Sequence, residues 1–200
     1  MEFSHLIAFN VALIAAIVSP GPALLVAIRT TLNSGRQSGV MIGLGLAMVA
    51  SLWTLAALLG LEAIFVLFPW AYTLVKTLGA AYLIYIAYGM WVGARDPIRS
   101  TDAKAGNAFW RGVMINILNP KSVLFAAAVL VVIFPPGMTM AENALVVVNH
   151  LAVETMFYTG LAFAMSSVAV SRAYMRARLY IDRAAACVLG ALGLRLLFSR

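Results

Sequence analysis

The sequence predicts an all-α membrane protein, a polytopic bundle of about six transmembrane helices that forms one domain over residues 1–200. Two observations predict this fold class. Of the 200 residues, 64% are hydrophobic and only 10% are charged, whereas soluble domains are about 45–50% apolar and about 25% charged. Apolar stretches long enough to cross about 30 Å of hydrocarbon also recur along the chain. The apolar excess must therefore face lipid rather than water.

Six apolar stretches are predicted to span the bilayer. They cover residues 6–28, 40–61, 70–92, 112–134, 144–170 and 184–198. A turn sequence that ends at Gly35 separates the first two. The sixth stretch is short, at about 15 residues, so it spans only if Tyr180 and Ile181 join it and Arg183 extends its side chain toward the interface.

Basic residues lie mainly in alternate loops. Lys and Arg follow the first, third and fifth predicted spans, whereas the N-terminus and the loops after the second and fourth contain none. Because Lys and Arg stay on the cytoplasmic side, both termini are predicted to lie outside a bacterial inner membrane. The net charge of +7 is therefore assigned to membrane-surface loops, and no nucleic-acid partner is predicted.

The sequence contains no pattern typical of an enzyme or of a resident cofactor. It has no GxxxxGK phosphate-binding loop, and Ser19 and His150 do not have the spacing of a catalytic triad. Cys187 is the single cysteine, and His5 and His150 are the two imidazoles. Neither an intramolecular disulfide nor a dedicated metal site is predicted from so few ligands.

Two of the predicted spans contain proline-rich breaks. The first break consists of Ser19, Pro20, Gly21 and Pro22, and the second contains Asn116, Asn119, Pro120 and Lys121. Proline removes a helix donor, and free backbone groups at membrane depth are tolerated only against protein or a water-filled cavity. The breaks lie at matching places in two halves, 1–94 and 108–200, joined by a cytoplasmic loop. This arrangement predicts two inverted three-helix repeats whose broken helices form a solute site; simple proline kinks are the alternative.

Ionisable residues inside predicted spans indicate function because burying them is costly. Lys121 begins the half-helix after the second break, where it could hold a carboxylate or pair with an internal acid; otherwise it extends to the interface. Glu154 is predicted to be the one acidic residue deep inside a span. His150 and Tyr158 lie one turn to either side of Glu154, on the same helix face. This face could relay protons or bind an ammonium group, or it could be a structural network.

Glycine pairs indicate close helix packing. Gly39 with Gly43, and Gly89 with Gly93, fit the small-xxx-small pattern. Either pair could form a homodimer contact, although packing within one protomer explains the pattern as well.

Several motifs occur in a consistent order along the chain. They are Ser19-Pro20-Gly21-Pro22, then Gly35-Arg36-Gln37-Ser38-Gly39 with Gly43 and Gly45, then Lys76 to Leu83 with Gly89, and Phe109 to Gly112 before Asn116-Ile117-Leu118-Asn119-Pro120-Lys121. In this order and spacing, the chain resembles the lysine-exporter (LysE/RhtB) family of bacterial amino-acid exporters. The resemblance covers most of the chain.

The resemblance implies a six-helix secondary transporter that exports amino acids or related small metabolites by antiport with protons. Family members often carry an acidic or amide residue after Pro-Gly-Pro, where this chain has Ala23. If that position binds a substrate amine or a proton, another group must replace it, and Glu154 is the candidate. Lys121 would then meet the substrate carboxylate. A cation exporter of a related six-helix family and a non-transporting membrane interaction protein are the alternatives.

Overall fold

Backbone hydrogen bonding explains why the chain is helical: in an apolar solvent every N–H and C=O must be satisfied within the chain, and a helix does this locally. The computed structural model describes residues 1–18, 21–93, 107–135 and 137–198. Over these residues seven helices and no strand occur, which confirms the all-α fold class. The helices are α1 (Phe3–Val18), α2 (Pro22–Leu67), α3 (Pro69–Gly93), α4 (Ala108–Ile117), α5 (Pro120–Ile133), α6 (Met140–Met165) and α7 (Val168–Phe198).

Helix α2 contains the turn that was predicted between the first and second spans. Gly35 has φ 82° and ψ 171°, which interrupts the 46-residue helix. A positive φ of this size favours glycine because it has no Cβ to clash with the backbone. The single element α2 therefore consists of two helical segments that meet at Gly35.

Length and composition identify membrane-spanning candidates among the described residues. Ala23–Gly60 and Met140–Met165 are long and apolar enough to cross a bilayer. Ala108–Ile117 together with Lys121–Leu130 makes a third if this bent pair is one span, and Phe3–Val18 is a shorter apolar helix. The helical membrane-protein class is thereby supported, while the arrangement as six spans in two inverted repeats stays a prediction.

Helix α7 differs from the expectation for the end of the chain. The stretch between residues 170 and 184 was expected to be a loop, but α7 runs without interruption from Val168 to Phe198. The stretch contains no Gly or Pro, and its Arg and Ala residues have high helix propensity. Ser166 and Ser167 separate α7 from α6 instead. The last helix is therefore 31 residues long.

Packing places α2 against α4, α5 and α6, while α7 packs against α3 and α1. The largest fully buried apolar side chains come from five of these helices; they are Phe9, Leu13, Leu24, Ile42, Leu46, Val129, Val146 and Leu189. Large apolar side chains also lie on the outside, with Leu52, Trp70 and Met156 each more than half exposed. An outer apolar surface of this kind is what a lipid-facing bundle requires.

Glycines allow α2 to approach α4 and α6 closely. A Cβ on Gly45 would lie 2.2 Å from the Phe109 carbonyl oxygen, and one on Gly112 would lie 2.3 Å from the Ile42 carbonyl oxygen. A Cβ on Gly43 would lie 2.4 Å from the Tyr158 Cβ. Gly43 thus packs within the protomer. A Cβ on Gly89 would meet nothing within 4 Å. The prediction that Gly89 forms a homodimer contact stays untested.

Candidate functional site

The second predicted break is a helix boundary stabilised by its own side chains. Helix α4 ends at Ile117, α5 begins at Pro120, and the two are bent by 69°. Pro120 occupies the first position of α5, where its missing N–H costs no hydrogen bond. Asn119 caps the helix, because its side-chain oxygen accepts a hydrogen bond from the Lys121 backbone N–H at 3.1 Å. The prolines and asparagines therefore end one helix and start the next, as predicted.

The first break is also a boundary between two helices. Helix α1 ends at Val18 and α2 begins at Pro22, with non-helical Gly21 between them. Ser19 and Pro20, which were predicted to take part, lie outside the described residues.

Lys121 joins the two breaks. Its ammonium donates a hydrogen bond to the Ala16 carbonyl oxygen at 2.9 Å. Ala16 lies in the last turn of α1, where the carbonyl groups have no partner within the helix. The start of α5 and the end of α1 are therefore adjacent, and Lys121 reaches into the bundle rather than toward an interface.

Asn116 and Ser122 complete a polar network around the second break. The Asn116 side-chain amide donates to the Leu46 carbonyl oxygen of α2 at 2.5 Å. The Ser122 hydroxyl donates to the Asn116 side-chain oxygen, and the Asn119 amide donates to the Ser122 hydroxyl at 3.2 Å. These bonds orient the polar side chains toward one another and attach the break to α2.

The opposite wall is the predicted polar face of α6. Buried His150, Glu154 and Tyr158 lie along one side of this helix. The His150 Nδ1 is 2.7 Å from the Thr54 hydroxyl, and its Nε2 is 3.4 Å from the Glu154 Oε1. The other Glu154 oxygen is buried and has no hydrogen-bond partner among the described residues. An unsatisfied buried carboxylate oxygen is an acceptor available to a ligand.

A cavity separates these two walls. It encloses about 490 Å³, its open mouth included. Seven of the predicted site residues line it: Gly21, Asn116, Asn119, Lys121, His150, Glu154 and Tyr158. Apolar side chains, among them Leu13, Leu24 and Phe125, complete the lining. A largely apolar cavity with a few converging polar groups is typical of a small-molecule site. The side chains of Pro22 and Pro120 lie outside what the structure describes.

Comparison with known proteins identifies the family. The family model described as "LysE type translocator" matches residues 14–200. The chain belongs to this family. Members of the LysE type translocator family are transporters and not enzymes, so this chain is a transporter. The resemblance stated from the sequence motifs is thereby confirmed.

Individual relatives in the family are similar over much of the chain. A threonine efflux protein of Escherichia coli (strain K12) is 28% identical over 198 residues, covering 94% of each chain. A homoserine/homoserine lactone efflux protein of Salmonella typhimurium is 29% identical over 150 residues, covering 72% of each. No solved structure matches the chain.

Side chains of α1 and α6 contact each other beside the cavity. Asn10 and Asn149 exchange two side-chain hydrogen bonds, of 3.2 and 2.7 Å. Phe9 packs its ring against Phe134 and against His150, with centroid separations of 5.6 Å in both pairs. Asn10 precedes the cavity-lining residues of α1, and Asn149 precedes those of α6, so this pair lies on the side of the cavity toward the start of both helices.

Sequence reasoning missed one buried acid. Asp182 has an exposed fraction of 0% and lies near the middle of α7, although its position was expected to be in a loop. Glu154 is therefore not the one buried acid of the bundle, because Asp182 is buried as well. The sequence signal that could have indicated this is that the stretch around Asp182 has no helix breakers and that the apolar residues Leu179 and Ile181 precede the Asp. Thr54, the partner of His150, was also missed.

Proposed function

We propose that this protein exports amino acids or amino-acid-like small metabolites across the bacterial inner membrane by secondary active transport, with protons moving in the opposite direction. The observation that carries the proposal is the cavity itself, which presents the Lys121 ammonium from one wall and the Glu154 carboxylate from the other. An amino acid carries the complementary pair of charges. The two relatives named as efflux proteins for threonine and for homoserine support a substrate of this class.

Lys121 binds the substrate carboxylate in this proposal. Its ammonium has three donors, of which one is directed at the Ala16 carbonyl oxygen. A substrate carboxylate in the cavity would accept a hydrogen bond from this ammonium. The N-terminus of α5 lies beside Lys121, and the partial positive charge of a helix N-terminus favours an anion at this position.

Glu154 binds the substrate ammonium. Its buried oxygen without a partner among the described residues is the acceptor, while His150 faces the other oxygen. A proton on this carboxylate would remove the charge that attracts an ammonium group. Proton binding and substrate binding therefore exclude each other at Glu154, which is how a single carboxylate couples opposite movements of the two.

The closed contact between α1 and α6 supplies the gate that such a cycle requires. With both termini outside, as the distribution of basic residues predicts, the bonds between Asn10 and Asn149 lie on the outer side of the cavity. A substrate from the cytoplasm would then enter the cavity, and release would need these bonds to open.

Efflux from cells loaded with dipeptides tests the proposal. Cells with and without the protein receive a panel of dipeptides of neutral, cationic and anionic residues, which internal peptidases convert to free amino acids. Faster appearance of one amino acid outside, lost when a protonophore collapses the proton gradient, is the expected result. No difference across the panel, with the protein confirmed in the membrane, would contradict amino-acid export.

Neutralising either charged group of the cavity is expected to abolish efflux. Lys121→Ala removes the group that binds the carboxylate, and Glu154→Gln removes the charge that binds the ammonium. Initial efflux rates and membrane levels are measured for each. Arg195→Ala and Glu2→Gln change exposed residues outside the cavity and serve as matched controls that keep full efflux. Wild-type transport by the two cavity variants would refute these roles.

A further inference from the structure

His150 contacts side chains of three helices, and its contact with Thr54 has no role so far in the proposed transport cycle. Its Nδ1 lies 2.7 Å from the Thr54 hydroxyl of α2, and its Nε2 lies 3.4 Å from the Glu154 Oε1 on α6 itself. The Phe9 ring of α1 packs against the imidazole in a T-shaped arrangement. Thr54 is fully buried and does not line the cavity. A ligand in the cavity would therefore sense this hydroxyl through His150.

Close packing of α2 against α6 holds Thr54 beside His150. On the same pair of helices, a Cβ on Gly43 would lie 2.4 Å from the Tyr158 Cβ. The partner on α6 moves back from Tyr158 to His150 as α2 advances from Gly43 to Thr54, so the two helices are antiparallel. Small residues let helix backbones approach this closely. The contact between Thr54 and His150 is therefore part of an extended helix interface.

The chemistry of the partners determines which group donates in each of the two bonds of His150. An ionised carboxylate only accepts hydrogen bonds. With Glu154 ionised, as binding of a substrate ammonium requires, the Nε2 of His150 carries the proton. In a neutral imidazole the other nitrogen is then an acceptor, so the Thr54 hydroxyl donates to Nδ1. The neutral ring is assigned because burying a charged imidazolium beside the Phe9 ring would cost more.

We propose that the Thr54 hydroxyl positions the substrate-binding carboxylate: by donating to Nδ1 of His150, it keeps the Nε2 proton directed at Glu154. This inference rests on the proposed binding of a substrate ammonium by Glu154. The carboxylate then has Oε1 held by His150. Its Oε2, which has no partner among the described residues, accepts from the substrate. Thr54 is thus a positioning residue that acts through His150.

Efflux kinetics of two Thr54 variants separate the hydroxyl from the bulk of the side chain. Thr54→Val keeps the volume and removes the hydroxyl, so the apparent KM for export is expected to rise about fivefold, the size of one hydrogen bond. The maximal rate should change little. Thr54→Ser keeps the hydroxyl and should retain the wild-type KM. Rates are measured against the internal concentration of the amino acid that the wild type exports from the dipeptide panel.

Thr30→Val is the matched control for the kinetics. Thr30 is buried in the same helix, and its hydroxyl has no hydrogen-bond partner among the described residues. Removing this hydroxyl should therefore leave both the KM and the maximal rate at their wild-type values.

Nitrogen NMR of the purified full chain in detergent, isotope-labelled in its histidines and without substrate, detects the hydrogen bond itself. The chain has two histidines, His5 and His150, and His5→Gln assigns their signals. We expect His150 to have an unprotonated Nδ1 and a protonated Nε2. Thr54→Val should shift the Nδ1 resonance of His150, because this nitrogen loses its donor, and should leave His5 unchanged. Thr54→Ser should keep the wild-type resonance.

The outcomes separate this inference from the proposed function. A protonated Nδ1 in wild-type His150, or a wild-type KM in Thr54→Val, would overturn the positioning role while leaving amino-acid export intact. An equal rise in KM for Thr54→Ser and Thr54→Val would also overturn it, because the two variants share only a change in packing. No export by the wild type would overturn the proposed function and the role of Thr54 in transport with it. The NMR result would then describe a hydrogen bond that serves stability alone.

Discussion

The two helix breaks border the same cavity, but they are stabilised differently. The break between α4 and α5 has its own polar side chains: Asn119 caps α5, and Asn116 attaches the break to α2. At the break between α1 and α2, the Ala16 carbonyl oxygen is instead satisfied by Lys121 from the other break. The second break is thus held by its own cap and by a hydrogen bond from its own asparagine to α2. The first depends on a long-range contact of Lys121, the side chain proposed to bind the substrate carboxylate.

This difference suggests a division of roles. A break that is capped by its own side chain and hydrogen-bonded to a neighbouring helix is suited to keep one shape through a transport cycle. A helix end whose partner is also the proposed ligand-binding group is suited to move when the ligand arrives. The following three substitutions test the rigidity of the second break, in order of decreasing expected effect.

The largest effect is expected from Gly112→Ala. The new Cβ would lie 2.3 Å from the Ile42 carbonyl oxygen, so α4 must move away from α2 at a cost of about 1–3 kcal/mol. Thermal unfolding in detergent measures the loss. Gly160→Ala is the matched control, because a Cβ there meets nothing within 4 Å and should leave stability unchanged or raise it by up to about 1 kcal/mol. Equal Tm values for both variants would show that the α2–α4 contact is loose.

Asn116→Leu is expected to have the next largest effect. It removes the donor to the Leu46 carbonyl oxygen and the acceptor of the Ser122 hydroxyl, leaving buried polar groups unsatisfied at a cost of about 1–3 kcal/mol. Part of this cost is offset by the added apolar volume. Asn33→Leu, at an exposed position of α2, provides the comparison and should change the Tm little. A stable Asn116→Leu protein would break the contrast between the two helix breaks.

Asn119→Ala is expected to have the smallest effect of the three. Loss of the cap on the Lys121 backbone N–H should lower stability by about 1 kcal/mol. Asn119→Asp restores a capping oxygen and is expected to recover most of the loss in Tm. If Asn119→Asp were as unstable as Asn119→Ala, the cap would not be the reason for the effect.

Much of the site was predictable because its signals are local. Proline and asparagine end and begin helices through their own backbone and side-chain chemistry, so the break at Asn119 and Pro120 follows from neighbouring residues alone. The shared face of His150, Glu154 and Tyr158 follows from helical periodicity. That Glu154 would share a solute site with Lys121 was expected from the family resemblance, because Ala23 stands where family members often carry an acidic or amide residue.

Most of the features that the sequence did not predict are contacts between residues that lie far apart along the chain. The Arg residues of α7 are typical of loops at a membrane surface, so the sequence predicted a loop. The structure instead has a continuous helix in which Asp182 is buried. The contact between Lys121 and Ala16 joins residues 105 positions apart, and no local pattern indicates it. The Thr54 partner of His150 is likewise 96 positions away.

The sequence by itself determined that the chain is helical and apolar, where two of its helices break, and which charged residues could not face lipid. These properties follow from composition, proline chemistry and the cost of burying charge. Only the tertiary structure decided which atoms those charges meet. It placed Lys121 at the end of α1, separated it from Glu154 by a cavity, and buried Asp182. These positions depend on how α1, α5, α6 and α7 pack, and the spacing of residues along a single helix does not determine the distances between helices.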